Sequence, residues 1–262
     1  MHPMLNIAIR AARRAGVIIS RAQNRLYDLR VSQKGLRDYV TQIDVEAEKA
    51  IIETLSQAYP SHAILAEESG KAGKSDYTWV IDPLDGTLNF IRGYPHYAIS
   101  IALRIKGRLD QAIIYDPLKD ELFTASRGEG AQINGQKIRV SVNQELESAL
   151  LATGFPVRNK QRLFEYLNGF SRILGLSADI RRSGSAALDL AYVACGRLDG
   201  YWEYDLKEWD LAAGALLVQE SGGLVGDITG RETHLESGNI VAANPKIFRQ
   251  LVVLLSSSDR EG

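Results

Sequence analysis

The segment Trp79-Val80-Ile81-Asp82-Pro83-Leu84-Asp85-Gly86-Thr87-Leu88-Asn89-Phe90 constrains this chain more than any other. It reads as an apolar strand that runs straight into two carboxylates, Asp82 and Asp85, and a tight turn at a strand end can aim both at one point. Pro83 fixes φ, Gly86 permits a close backbone approach, and the N–H groups near Gly86 and Thr87 could open a following helical turn as an anion cradle. Taken alone, Asp-Pro-x-Asp-Gly is also a common turn. Other acids shift the weighing. Glu67-Glu68 ends a second strand-like run upstream, and Trp209-Asp210 opens a helix with the small residues Ala212, Ala213 and Gly214. Singly, Glu67-Glu68 also suits a solvated strand end, and Asp210 a helix N-cap. Jointly, several acids at the ends of apolar strands with no matched run of basic partners suggest hard oxygen ligands for Mg²⁺, an ion suited to phosphate chemistry.

The 262 residues are 45% apolar and 24% charged, enough to bury a sizeable core in one large domain or two joined lobes. With 31 Lys and Arg against 32 Asp and Glu, the net charge of -1 gives no global field for a polyanion, so no direct sequence-specific nucleic-acid binding is expected. The single Cys195 excludes an intrachain disulfide and a Cys-based zinc site, which favours the cytoplasm. No apolar run reaches the roughly 18 residues of a membrane span. Residues 1–27 hold Arg10, Arg13, Arg14, Arg21 and Arg25 and no acid before Asp28, a pattern that transit peptides share. Leu5, Ile9, Ala12, Gly16 and Ile19 recur at helical spacing, however, and predict a first amphipathic helix with an arginine face.

Thr41-Gln42-Ile43-Asp44 reads as a capping box opening a second helix that stops before Pro60, so two helices are expected before any strand. Apolar runs at 63–66, 79–81, 98–105, 112–115 and 122–125, with Asn134-Gly135 as a hairpin signal, predict a mainly antiparallel sheet. From about residue 148 the runs at 150–153, 163–174, 186–194, 200–204, 211–220, 224–227, 240–243 and 247–255 alternate strand and helix lengths. The pattern predicts an α+β lobe over 1–147 and an α/β lobe over 148–262, fused as one compact unit with a site between them.

Other chemistries fit poorly. Gly70-Lys71-Ala72-Gly73-Lys74-Ser75 contains Gly-Lys-Ser, but a P-loop needs glycine where Glu68 stands, so the segment is expected to be a mobile surface turn. Gly184-Ser185-Ala186 lacks the nucleophile-elbow pattern, and His2, His62, His96 and His234 show no metal-ligand pairing. Cys195, beside Ala191 and Ala194, suits a small buried hydrophobe.

Over essentially its whole length the chain resembles the inositol monophosphatase family, specifically its bacterial SuhB type. Glu67-Glu68-Ser69, the Trp79–Phe90 segment and Trp209-Asp210-Leu211-Ala212-Ala213-Gly214 match the three metal-site motifs of that family in order, and Gly184-Ser185-Ala186-Ala187 with Glu203 matches its substrate segment. Leu88 departs from a usual threonine at a position that is not a ligand. The resemblance implies a layered αβαβα sandwich, the fold shared with fructose-1,6-bisphosphatases. It implies Glu67, Asp82 and the Leu84 carbonyl around a first Mg²⁺, and Asp82, Asp85 and Asp210 around a second, with Glu67 also assisting a third, weaker position. Asp44 with Thr87 would orient the attacking water, while Asp85, Gly86, Thr87, Gly184, Ser185, Ala186, Glu203 and Asp210 would meet substrate.

The implied activity is Mg²⁺-dependent, lithium-sensitive hydrolysis of an inositol phosphate or related polyol phosphate by a homodimer. Fructose 1,6-bisphosphate and 3′-phosphoadenosine 5′-phosphate are the runner-up substrates. The SuhB type also implies a binding role in ribosomal RNA antitermination, with RNA polymerase and Nus factors as partners. The arginines Arg158, Arg162, Arg172, Arg181 and Arg182 are the candidate surface for it, and a solvated charged face is their plainer explanation.

Overall fold

A computed structural model describes residues 2–23, 26, 31–35, 38–156 and 159–256. The first helix, α1 (Pro3–Gln23), buries Leu5, Ala8, Ala11, Ala12, Ala15, Gly16 and Ile19 as one stripe. Its small residues let it lie close to the sheet: a Cβ on Gly16 would come within 2.5 Å of the Tyr115 ring. Arg10, Arg13, Arg14 and Arg21 occupy the exposed face. An antiparallel pair, β1 (Val31–Gly35) and β2 (Asp38–Thr41), comes next, so among the described residues the second expected helix follows the first strands instead of preceding them. These strands are short and lack the apolar alternation that would announce them. At the start of α2 (Gln42–Ala58) the expected capping box forms: the Thr41 hydroxyl accepts the Ile43 N–H at 3.1 Å, and Asp44 accepts the Thr41 N–H at 2.8 Å.

The strands β3 (Ala63–Ala66), β4 (Gly70–Ala72) and β5 (Tyr77–Asp85) are followed by the short helix α3 (Thr87–Ile91). Then come β6 (Ala98–Ile105), β7 (Arg108–Asp116), β8 (Glu121–Ser126), β9 (Gly130–Ile133) and β10 (Gln136–Lys137). They form a sheet of order β10-β9-β8-β7-β6-β5-β3-β4, antiparallel except between β3 and β5. Asn134 and Gly135, at φ 48° and 80°, make the two-residue turn between β9 and β10. Part of Gly70–Ser75, expected as a mobile surface turn, is instead the edge strand β4 paired to β3. The register between β5 and β6 shifts between Asp82 and Asp85, at Pro83, which has no N–H for the ladder. This irregularity turns the strand end out of the sheet where the two acids stand.

The chain continues through β11 (Leu150–Thr153), α4 (Leu163–Leu174), β12 (Asp179–Arg181), α5 (Ala186–Ala194), β13 (Gly200–Glu203), α6 (Glu208–Glu220), β14 (Leu224–Gly226), α7 (His234–Ser237), β15 (Ile240–Ala243) and α8 (Pro245–Ser256), whose strands form the second sheet. Its order is β12-β11-β13-β15-β14, with β11 parallel to β12 and β13 and β15 antiparallel to its neighbours. Helices α1 and α2 cover one face of the first sheet. Helices α5 and α6 contact both sheets, and α4 and α8 pack together beyond the second. The result is a layered αβαβα sandwich. Three apolar cores follow from these layers: one under α1 and α2, one around α5 and α6, and one beneath α4 and α8. Such burial is the main favourable contribution to folding.

Candidate active site

A cleft of about 560 Å³ opens where the end of β5, the start of α3, the loop before α5, the end of β13 and the start of α6 come together. From the first sheet and its loops it is lined by Glu67, Asp82, Leu84, Asp85, Gly86 and Thr87, and from the second by Gly184, Ala186, Glu203 and Asp210. Gly86 has φ 91°, and a Cβ there would meet the His96 carbonyl at 3.0 Å and the Gly184 carbonyl at 3.3 Å. Two candidates stand behind the lining. Asp44 is buried; one of its oxygens accepts the Thr87 hydroxyl at 2.9 Å and the other the Thr41 N–H and hydroxyl at 2.8 and 2.6 Å. Ser185, also buried, caps α5 and donates to Asp85 at 2.6 Å, so its hydroxyl is engaged by an acid of the cleft and does not itself line it.

Asp82, Asp85 and Asp210 each accept hydrogen bonds through one carboxylate oxygen. Asp82 Oδ1 accepts the Leu84 N–H at 2.9 Å, Asp85 Oδ2 accepts Ser185 Oγ at 2.6 Å and the Ala187 N–H at 2.7 Å, and Asp210 Oδ2 accepts the Lys207 N–H at 2.7 Å. Burial raises the Asp82 carboxyl well above the ordinary range, and repulsion from Glu67, Asp85 and Asp210 raises it further. Burial likewise raises Asp210 well above that range, with Asp85 as the leading like charge, and pushes Asp85 up to about 6 against the lowering effect of Ser185 and Ala187. Crowded carboxylates in one cleft with little cationic compensation are what a dication would reverse. Carboxylate oxygens plus the Leu84 carbonyl are also the hard donors that Mg²⁺ takes. Among the described residues, no group of three or more His, Cys, Asp or Glu side chains already closes to a ready cage. The acids surround an open cleft and share its field.

The sequence profile of the inositol monophosphatase family matches residues 1–259. The chain belongs to that family. It is 55% identical over 261 residues to the Nus factor SuhB of Pseudomonas aeruginosa, covering 97% of this chain and 96% of that protein. Among solved structures it is similar to the extragenic suppressor protein suhB of Bartonella henselae, with a TM-score of 0.94 and 43% identity over 97% of this chain and 98% of that one. It is similar too to an inositol monophosphatase from Anabaena, with a TM-score of 0.86 and 40% identity over 97% of this chain and 95% of the other.

Several side chains at this inositol monophosphatase family cleft were not singled out for it by the sequence. Asn89, inside the quoted motif, donates to the His96 carbonyl at 2.7 Å and the Ser183 carbonyl at 2.9 Å, tying α3 to the loop before α5. Glu48 accepts the Glu68 and Ser69 N–H groups, both at 2.8 Å, and so fixes the turn that carries Glu67. Gly154 lines the cleft against Glu203, whose carboxyl burial pushes up to about 7.

The arginine set divides. Arg182, expected on a partner surface, lines the cleft and stacks over Phe155 at 5.4 Å. Arg181 pairs with Asp179, Arg162 with Asp205 at 3.3 Å, and Arg172 reaches the Leu254 carbonyl at 3.4 Å, whereas Arg158 lies outside the described residues. Each described member thus has an intramolecular contact, and Arg182 belongs to the cleft. Cys195 is partly buried, and burial raises its thiol, as suits a packing residue.

Proposed function

We propose that this inositol monophosphatase family protein is an Mg²⁺-dependent phosphatase that releases phosphate from inositol monophosphate or a related polyol phosphate. The observation that carries this reading is the single cleft in which Glu67, Asp82, Asp85 and Asp210 face Gly184, Ala186 and Glu203. Glu67, Asp82 and the Leu84 carbonyl would hold one metal, and Asp82, Asp85 and Asp210 a second, with Asp82 shared and Glu67 also near a weaker third position. Bound there, the ions supply acidification of water and neutralisation of the phosphoryl oxygens.

The rest falls to side chains. The Thr87 hydroxyl lies 2.9 Å from Asp44 and 3.0 Å from the Leu84 carbonyl; with its one hydrogen on Asp44, its lone pairs would be open to a hydrogen of the attacking water. Burial holds Asp44 above the usual carboxylate range, against opposing bonds from Thr41 and Thr87, which makes it a better proton acceptor. Ser185 keeps Asp85 in place, while Asp85, Glu203 and the backbone from Gly184 to Ala186 are set to read hydroxyls on the substrate. Phosphate release across inositol, sugar and nucleotide phosphates, with and without Mg²⁺, tests the reading. Release that needs Mg²⁺ and favours polyol monophosphates is expected. Preference for fructose 1,6-bisphosphate or 3′-phosphoadenosine 5′-phosphate would reassign the substrate, and metal-independent release would overturn the proposal.

The 55% identity to a protein named Nus factor SuhB supports a second role, as a cytoplasmic homodimer that joins RNA polymerase and Nus factors in antitermination. Among the described residues no helix is long and apolar enough to cross a membrane. Such partners need exposed surface, so Asp82→Asn is expected to lose hydrolysis and keep capture of RNA polymerase and Nus factors. Absence of capture by the unaltered protein would remove the second role.

A further inference from the structure

Strand β13 reads Gly200-Tyr201-Trp202-Glu203, and its pleat sends Tyr201 and Glu203 to one face and Trp202 to the other. Tyr201 accordingly sits in the core around α5 and α6, whereas Trp202 packs in the core beneath α4 and α8. Tyr201 is fully buried, and its hydroxyl donates to Oε2 of Glu203, whose side chain lines the cleft. The other constraint on that carboxyl comes from the neighbouring strand. In the parallel register of β11 and β13, Thr153 stands opposite Trp202, which brings Gly154 beside Glu203. A Cβ at Gly154 would lie 1.9 Å from both Cδ and Oε1 of Glu203, so the carboxyl rests on bare backbone. A phenylalanine at 201 would fill the same core space without burying a hydroxyl against an acid. As a packing device the pair is therefore costly, because buried polar groups lose hydration that their mutual bond only partly restores.

We infer that Tyr201 is a positioning residue for substrate selection: its buried hydroxyl, with the space left by Gly154, fixes the Glu203 carboxyl where it meets a hydroxyl of a polyol phosphate. Tyr201 acts through Glu203 and does not touch the substrate. The inference rests on the polyol phosphatase reading above. An untethered glutamate has several rotatable bonds, and ordering them during binding would weaken recognition of the hydroxyl without altering the phosphate end.

The test compares the unaltered protein with Tyr201→Phe and Gly154→Ala, measuring kcat and KM for inositol 1-phosphate and for 4-nitrophenyl phosphate, which has no ring hydroxyls. Tyr201→Phe should raise KM for inositol 1-phosphate about tenfold with kcat within about twofold, lowering the inositol-to-aryl ratio of kcat/KM about tenfold. Gly154→Ala, which displaces the same carboxyl from the other side, should lower the ratio in the same direction even if Tyr201→Phe folds poorly. An unaltered protein with no preference for inositol 1-phosphate would sink the polyol reading itself. With that preference present, an unchanged ratio in folded Tyr201→Phe, whatever Gly154→Ala does, or an equal loss toward both substrates, would overturn the positioning role alone.

Discussion

Glu203 shows how far surroundings can set the chemistry of one side chain. Its carboxyl is pushed up to about 7 by burial, with Asp189 and Asp85 adding repulsion and Tyr201 and Arg182 opposing it. The folded state therefore holds a proton that the unfolded chain has lost between the ordinary value of 4.5 and about 7. Stability from this group is present at low pH and falls as pH rises through that window. Glu203→Gln, which cannot ionise, should then melt a few degrees higher than the unaltered protein at pH 8 and nearly level with it below pH 4.5, as thermal unfolding at both pH values will show. Identical differences at both would contradict the shift. The acids at strand ends were legible because Asp82, Asp85, Glu67 and Asp210 each follow or open a clear apolar run. Gly154 and Glu48 were not, because each acts on a residue distant in sequence through contacts that exist only once the chain has folded, and Tyr201 was not, because nothing in Tyr-Trp-Glu shows that the Tyr201 hydroxyl and the Glu203 carboxyl are buried together.

At the scale of elements, α5 is the joint between metal-site and substrate segments. Ser185 caps the helix by accepting the Leu188 N–H at 3.3 Å, and the same hydroxyl donates to Asp85 from the first sheet. Ser185→Ala should cost about 1 kcal/mol of stability, the usual worth of an N-cap, measured by urea unfolding. It should also raise the Mg²⁺ concentration needed for half-maximal phosphate release, since Asp85 loses one of its two anchors. A variant with full stability and unaltered Mg²⁺ dependence would show that the cap does neither. The long apolar strands and the helices α1, α2, α5, α6 and α8 could be read from their periodicity. β1, β2 and β12 could not, for they are short, with few apolar residues to alternate, and the Gly-Lys-Ala of β4, within a Gly- and Lys-rich run, carries no strand pattern. Their pairing is supplied by neighbours.

For the whole molecule, two sheets share the α5 and α6 layer, and the cleft draws its acids and its substrate-facing residues from both. We propose to read this as two lobes, 1–147 and 148–262, each contributing part of a site that neither forms alone. The layer order itself was expected from the family resemblance; the apolar periodicity of the sequence indicated only that helices and sheets alternate. The central claim is that the acids of this cleft hold Mg²⁺ for phosphate hydrolysis, and Asp82 is the group proposed to serve both ions. Its most direct test is a titration of phosphate release from inositol 1-phosphate against Mg²⁺, run on the unaltered protein and on Asp82→Asn, with circular dichroism and thermal unfolding to establish that both are folded. The unaltered protein should be inactive without Mg²⁺ and saturate with it, and folded Asp82→Asn should lose about a thousandfold or more in kcat at any Mg²⁺ concentration. Near-normal turnover by Asp82→Asn at saturating Mg²⁺ would contradict the account.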